Sequence, residues 1–161
     1  YVKNLYNFSG YNAFTSNVIG AFKFQAKSIN GLSDDDVRLS KRVTVFSSRL
    51  RGFKSGSIGP KDGKDYVGGN YAAVVNLEAS LPNLLPESTK TDVGLFLDFG
   101  NVWGVDYDQS VDDSNKIRST VGMNIGWLSP AGPLSFVLSR NISKASTDVT
   151  EGFKFNLGTT F

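Results

Sequence analysis

The chain has 161 residues, and its content of 40% hydrophobic, 12% aromatic and 20% charged residues predicts one folded domain. Its net charge of +2, with no clustered basic face, argues against nucleic-acid binding. It contains no cysteine, which excludes disulfides and thiolate metal sites, and no histidine, which removes most zinc sites and the commonest general base. No apolar run reaches the roughly 18 residues of a transmembrane helix. Because the chain starts at Tyr1 and has no signal peptide, we expect an excised or incomplete portion of a longer protein.

Seven segments alternate apolar and polar residues with a period of two, the pattern of β-strands that have one apolar and one polar face. In chain order, the apolar positions are Val2, Tyr6 and Phe8; Val18, Phe22, Phe24 and Ala26; Ala73, Val75, Leu77, Ala79 and Leu81; Val93, Leu95, Leu97 and Phe99; Ile117, Val121, Met123, Ile125 and Trp127; Leu134, Phe136 and Leu138; and Phe153, Phe155, Leu157 and Phe161. Turn signals separate these segments, and none has the spacing of an amphipathic helix. The sequence therefore predicts an all-β, antiparallel fold.

Two architectures fit this alternation: a soluble sandwich or barrel with the apolar face inside, and a membrane barrel with the apolar face toward lipid. Three features favour the membrane barrel. The polar faces are rich in Gly, Ser, Thr and Asn, and the segments run about ten to fifteen residues, near the length of a tilted membrane strand. Aromatic residues near strand ends, foremost Trp103 and Trp127, fit an interfacial girdle, although in a soluble sheet they would be core residues.

The final predicted strand, 151–161, reads EGFKFNLGTTF and ends on Phe161. Its apolar face also carries Phe153, Phe155 and Leu157. Terminal residues of soluble proteins are usually polar and frayed, so a terminal aromatic favours the membrane barrel. The strand is similar to the C-terminal signal by which bacterial barrels are recognised for insertion. The alternative is the closing strand of a soluble sheet.

Five blocks in a fixed order are together more specific than any one of them. They are LRGFKSGSIGPK (50–61), VGGNYAAVVNLEASLP (67–82), GLFLDFGNVW (94–103), IRSTVGMNIGWLSPAGPLSF (117–136) and FKFNLGTTF (153–161). Together they resemble the C-terminal barrel portion of the BamA family of outer-membrane protein assembly factors, in the POTRA-barrel superfamily of bacterial surface antigens. The resemblance implies that residues 1–161 are about seven C-terminal strands of a sixteen-stranded transmembrane barrel. One departure is Ser47-Ser48, where many relatives carry paired glycines.

The resemblance also implies a location in the outer membrane of Gram-negative bacteria and a role in folding and inserting barrel proteins through a lateral seam. The expected partners are unfolded outer-membrane barrel clients, accessory assembly lipoproteins and the lipid bilayer, with no cofactor, metal or nucleic acid. The final strand would border the seam, where Gly158 would weaken local packing. The alternative for Gly158 is an ordinary glycine of the lumen face. The alternative is a related two-partner secretion or autotransporter-assembly barrel that translocates a polypeptide. A passive pore or adhesin fits a plugged lumen less well.

A long loop, about 31–66, contains the triplet Arg51-Gly52-Phe53. The resemblance implies that this loop folds back into the barrel lumen, where its arginine meets acidic and aromatic groups on the inner wall. A glycine between two large side chains lets Arg51 and Phe53 point apart. We therefore expect Arg51 to pin the loop to the wall.

The period of two independently places three matching groups, Glu78, Phe96 and Asp98, on polar faces. We expect Arg51 to pair with both carboxylates and to lie over the Phe96 ring, and we name these four residues, with the glycine and phenylalanine of the triplet, the loop latch. One alternative is that Arg51 is an ordinary solvated charge. Another is that Glu78 and Asp98 are a general acid–base pair, as in glycoside hydrolysis. Without histidine or cysteine beside them, and with Arg51 holding both ionised, we expect no enzyme.

Overall fold

The computed structural model describes residues 1–32, 50–54, 58–62, 65–104, 116–146 and 148–157. Its strands are β1 (Val2–Thr15), β2 (Val18–Asn30), β3 (Lys61–Asp62), β4 (Asp65–Tyr66), β5 (Tyr71–Leu81), β6 (Thr91–Trp103), β7 (Arg118–Ser129), β8 (Gly132–Ser143) and β9 (Phe153–Leu157). Seven of them form one antiparallel sheet, in the order β1-β2-β5-β6-β7-β8-β9, while β3 and β4 form a separate small hairpin. The prediction of an all-β antiparallel fold with about seven strands is confirmed.

The connections differ in length between the two ends of the sheet. At the short-turn end, residues 16–17 and 130–131 make tight turns, and residues 82–90 include a short 3-10 helix (Glu87–Thr89). At the long-loop end, the connections are residues 31–70, which include β3 and β4, and residues 104–117 and 144–152. The Arg-Gly-Phe triplet therefore enters from the long-loop end. Strands β1 and β9 are the two edges of the sheet.

One face of the sheet, the outer face, is a continuous apolar band. Strand pairing aligns its side chains in rows, for example Phe24, Val75 and Phe99, or Val93, Ile125, Phe136 and Phe155. Side chains along the band stay exposed, such as Leu95 at 46% and Leu157 at 65%. An exposed apolar surface of this extent is typical of a face that contacts lipid.

The opposite face, the inner face, is covered in part by the loop between β2 and β5. Seven buried apolar side chains cluster there: Ile29, Leu50, Phe53, Ile58, Ala72, Val74 and Val102. The sequence pattern placed Ala72 and Val74 on a polar face. Loop residues cover these two side chains and exclude water, so apolar residues are favourable at these inner-face positions. Hydrophobic contacts therefore hold the loop on the inner face, in addition to any ion pair that it forms there.

The strands at the two ends of the chain differ most from the sequence pattern. Strand β1 is 14 residues long, whereas alternation marked only its first half. Strand β9 occupies Phe153–Leu157 of the predicted 151–161, and Gly158 and Phe161 lie outside the described residues. In the described part of the chain, no helix has the length and apolar character needed to cross a membrane.

Candidate functional site

The Arg51 side chain lies on the inner face and is bound by Asp98 of β6. Its Nε and Nη2 atoms donate to the two Asp98 carboxylate oxygens at 2.7 Å each, a bidentate arrangement. The Arg51 backbone N–H also donates to Asp98 Oδ2, at 3.1 Å. Asn76, the cross-strand partner of Asp98 on β5, donates to Asp98 Oδ1 at 2.9 Å. These donors satisfy a carboxylate that is fully buried.

Glu78 of β5 is the second carboxylate at this guanidinium. The Arg51 Nη2 atom lies 2.8 Å from Glu78 Oε1, while Glu78 Oε2 accepts a hydrogen bond from Lys23 Nζ of β2 at 3.2 Å. The Glu78 and Lys23 side chains are 24% and 28% exposed, so water screens this pair more than it screens Asp98. The site therefore combines two positive and two negative charges, and sequence reasoning missed Lys23.

An aromatic ring forms one wall of the guanidinium site. The Arg51 Cζ atom lies 3.9 Å from the centroid of the Phe96 ring, within cation–π range. Phe96 pairs across the strands with Gly122 of β7. A Cβ at position 122 would lie 2.7 Å from Phe96 Cζ, so the glycine leaves the space that the ring occupies.

Gly52 lies between Arg51 and Phe53 with a φ of +88°, in the left-handed region that favours glycine. A Cβ there would also lie 2.5 Å from Thr120 Cγ2 on β7. This backbone conformation sends the two neighbouring side chains into different surroundings. Arg51 enters the charged site, and Phe53 packs into the apolar cluster with Leu50.

The charged state of Arg51 follows from its surroundings. Burial by itself would lower the pKa of the guanidinium, but the hydrogen bond and charge of Asp98, and then the charge and hydrogen bond of Glu78, raise that pKa above its ordinary value. Arg51 is therefore a permanent cation here. Among the described residues, no group of three or more acidic side chains could hold a metal ion.

The loop also joins the sheet through its backbone. The Lys54 N–H donates to the Val149 carbonyl at 3.0 Å, and the Glu151 N–H donates to the Gly52 carbonyl at 2.9 Å. Phe53 and Thr150, between these bonds, form an antiparallel bridge. The triplet is thus paired like a short strand with the residues that lead into β9, a contact that alternation did not reveal.

A second buried ion pair, which sequence reasoning also missed, lies on the same face. Arg118 Nε and Asp148 Oδ2 are 2.9 Å apart, and both side chains are 0% exposed. The polar position of Arg118 was visible in the alternation of β7, but its partner lies 30 residues away in an irregular connection. No periodic signal identifies such a partner.

The two predicted interface tryptophans lie at opposite ends of the sheet. Trp103 ends β6 at the long-loop end, where its ring stacks on Tyr71 with a centroid distance of 5.8 Å. Trp127 pairs with Thr91 near the short-turn end and is 41% exposed. This separation matches aromatic girdles at two membrane interfaces.

The described residues of the predicted seam lie on the outer face, away from the loop latch. Phe153 and Phe155 of β9 pack beside Phe136 of β8, with ring centroids 6.4 Å and 5.2 Å apart, and Leu157 follows them along the band. The structure thus brings together Arg51, Glu78, Phe96 and Asp98 of the loop latch and places Phe53 in the apolar cluster. It does not bring the latch and the seam side chains together.

The chain is similar in sequence to known proteins. A family model described as the Omp85 superfamily domain matches residues 1–161. The outer membrane protein assembly factor BamA of Neorickettsia risticii (strain Illinois) is 29% identical over 153 residues, which cover 93% of this chain and 20% of that protein. BamA of Neisseria meningitidis serogroup B is 32% identical over 139 residues, which cover 70% of this chain and 17% of that protein.

A solved structure gives the same result for the fold. The crystal structure of Haemophilus ducreyi BamA lacking POTRA domains 1–3 superposes with a TM-score of 0.85 at 29% identity, covering 99% of this chain and 35% of that one. The chain thus spans about a fifth of the curated relatives that it matches. It belongs to the Omp85 superfamily, as a C-terminal portion of an outer-membrane β-barrel.

Proposed function

We propose that this sheet belongs to an outer-membrane protein assembly factor, which folds and inserts β-barrel proteins through a lateral seam. The observation that carries the proposal is the loop latch, because a buried arginine bound by two wall carboxylates plugs the inner face instead of leaving an open pore. The named relatives, all assembly factors, support the same role.

The role answers a physical difficulty that every barrel client meets. An unpaired strand in lipid leaves backbone N–H and C=O groups without partners, at a cost of several kcal/mol each. An exposed strand edge offers these groups partners by β-augmentation. The proposed seam borders β9, the last strand of the sheet, so a client strand would pair along it. This chemistry forms and breaks no covalent bond, and we therefore propose that the protein is not an enzyme.

In this proposal, the loop latch determines the conformation of the β9 edge with which a client strand pairs. The loop is bound both to the wall, through Asp98, and to the residues before β9, through Gly52 and Lys54. Release of the loop would remove these backbone hydrogen bonds from the residues that lead into β9. We further propose that accessory lipoproteins bind the full-length protein and that Gly158 weakens local packing at the seam.

The proposal is tested with the full-length protein purified into liposomes. We expect it to accelerate the folding of several unrelated barrel clients, measured by their heat-modifiable mobility on gels, and Arg51→Ala to slow that folding. Arg140→Ala is the matched control, since Arg140 is an exposed arginine on the outer face. A protein that accelerates no client, but conducts ions and passes one exported polypeptide, would instead be a secretion barrel.

A further inference from the structure

The buried pair of Arg118 and Asp148 has no part in the charged site around Arg51. Arg118 Nε and Nη2 donate to the two Asp148 carboxylate oxygens at 2.9 and 3.0 Å. Both side chains are fully buried, so the pair is not a solvated surface contact. A bidentate pair in such surroundings fixes the relative position of the two segments that carry it.

Arg118 is held by the wall of the barrel. It begins β7, and its Nη1 atom donates to the side chain of Asn101 on β6 and, at 2.9 Å, to the Lys116 carbonyl. The guanidinium is therefore anchored across two neighbouring strands before it reaches Asp148. Among the described residues, the hydrogen-bond partners of Arg118 are Asn101, Lys116 and Asp148, none of which lies in the loop that carries the Arg-Gly-Phe triplet.

Asp148 is held by a turn in the connection between β8 and β9. Its Oδ2 atom accepts the Ala145 N–H at 2.8 Å, and its own N–H donates to the Ala145 carbonyl at 3.2 Å. One carboxylate thus closes the turn and accepts the wall arginine at the same time. If the arginine were removed, the turn could keep this conformation only by burying an unpaired carboxylate.

The residues just after this turn receive the loop. The Val149 carbonyl accepts the Lys54 N–H at 3.0 Å, and the Glu151 N–H donates to the Gly52 carbonyl at 2.9 Å. On the other side, Gly152 accepts the Ser139 N–H of β8 at 2.8 Å. Residues 149–152 therefore lie between the loop and β8, and the turn at Asp148 sets where they begin.

We propose that Arg118 and Asp148 are positioning residues that hold residues 149–152 as the edge on which the Arg51 loop docks, and so couple the loop to β9. The carboxylate orients the turn, the turn orients the edge, and the edge pairs with the triplet. The coupling matters for client insertion only if the proposed assembly function holds, but the docking itself does not depend on that function.

The test measures docking directly in the full-length protein. Lys54→Cys with Val149→Cys places a thiol pair at a hydrogen-bonded position of the short antiparallel pairing, in a part of the protein that has no cysteine of its own. The two single-cysteine variants are controls for disulfides with any cysteine elsewhere in the full-length protein. Such pairs have Cα atoms about 5.5 Å apart, within disulfide range. We expect Asp148→Asn, which removes the charge and keeps the shape, to lower the yield of disulfide by about tenfold or more under mild oxidation.

Arg118→Lys provides a second variant, which keeps the charge but cannot form the fork, and we expect an intermediate yield. The Arg140→Gln variant changes an exposed arginine of β8 and should leave the yield unchanged. Heat-modifiable mobility of each variant selects the folded barrels for comparison. Parental disulfide yield in folded Asp148→Asn and Arg118→Lys barrels would overturn the proposal. A reduced disulfide yield in these variants, together with a parental protein that accelerates the folding of no client, would count against the assembly function and leave the positioning role standing.

Discussion

At the scale of single residues, the two carboxylates around Arg51 differ in how much water reaches them. Asp98 is 0% exposed and is bound through both of its oxygens, whereas the Glu78 side chain is 24% exposed and is shared with Lys23. A buried charge that loses its partner costs far more than one that water and a second cation can still reach. We therefore expect Asp98 to dominate the energetics of the loop latch.

Arg51→Ala should destabilise the folded barrel by about 3–5 kcal/mol, because the buried Asp98 carboxylate loses its fork. Lys23 remains to neutralise Glu78, which favours the lower part of this range. In an Asp98→Asn background, the same substitution should cost much less, giving an interaction energy of about 1–3 kcal/mol. Thermal loss of the compact gel band in the four proteins of the cycle gives these values.

Arg51→Lys should recover only part of the lost stability, because an ammonium group cannot bind both Asp98 oxygens through a planar fork. Strictly additive effects of the Arg51 and Asp98 substitutions would show that the loop is held by other contacts, chiefly the apolar cluster.

Gly52→Ala should release the loop even though it removes no contact. The alanine would have to adopt a φ of +88° and place its Cβ 2.5 Å from Thr120 Cγ2. The left-handed conformation alone costs about 1–2 kcal/mol. Gly126→Ala in β7 is the control, since a Cβ there meets nothing within 4 Å, and its effect should stay within about 0.5 kcal/mol. Equal melting temperatures of the two variants would contradict this account.

The sequence placed Glu78, Phe96 and Asp98 on inward positions because a period of two assigns a face to every strand residue. Alternation carries no information about contacts between diagonal neighbours or with irregular segments. Lys23, whose ammonium reaches Glu78, and Asp148, which lies in a turn, could therefore not be identified from the pattern.

At the scale of the elements, periodicity predicted the strands well because each one has one face against lipid and one toward the lumen. The outer-face positions of β5 to β8 agree with the predicted apolar positions along almost their whole length. The inner faces of β5 and β6 were harder to read, because the covering loop makes Val74 and Val102 part of an apolar cluster. Inner-face side chains that the loop shields from water do not need to be polar.

The orientation of β7 and β9 leads to a topological prediction. Val121 and Leu157 lie on the outer face and are 45% and 65% exposed. Spin labels at these positions should relax strongly with lipid-soluble oxygen and weakly with a water-soluble nickel reagent. A label at Asn124, on the opposite face of β7, should respond weakly to oxygen. Strong nickel relaxation at Val121 and Leu157 would exclude a lipid-facing band.

At the scale of the whole molecule, the two longest connections, residues 31–70 and 104–117, leave one end of the sheet, and the two tightest turns, residues 16–17 and 130–131, leave the other. Outer-membrane barrels place short turns in the periplasm and longer loops outside the cell. The Arg51 loop therefore enters the barrel from the extracellular side.

This orientation is tested with single cysteines at two exposed positions, Ser146 at the long-loop end and Ala131 at the short-turn end. A membrane-impermeant maleimide added to intact cells should label Ser146→Cys but not Ala131→Cys. Both should react once the outer membrane is permeabilised. The reverse labelling pattern would place the long loops in the periplasm.

The distance along the chain between the loop and its binding partners also determines when the loop docks during folding. Arg51 precedes Asp98 by 47 residues, and Gly52 precedes Asn141, whose side chain donates to the Gly52 carbonyl, by 89 residues. Neighbouring hairpins close much shorter segments and form sooner, so the loop docks on a wall that has already folded. Substitutions at Arg51 should then have φ-values near zero: refolding keeps its rate and unfolding accelerates. The docked loop would thus determine the unfolding rate of the folded barrel, while the hairpins determine its folding rate.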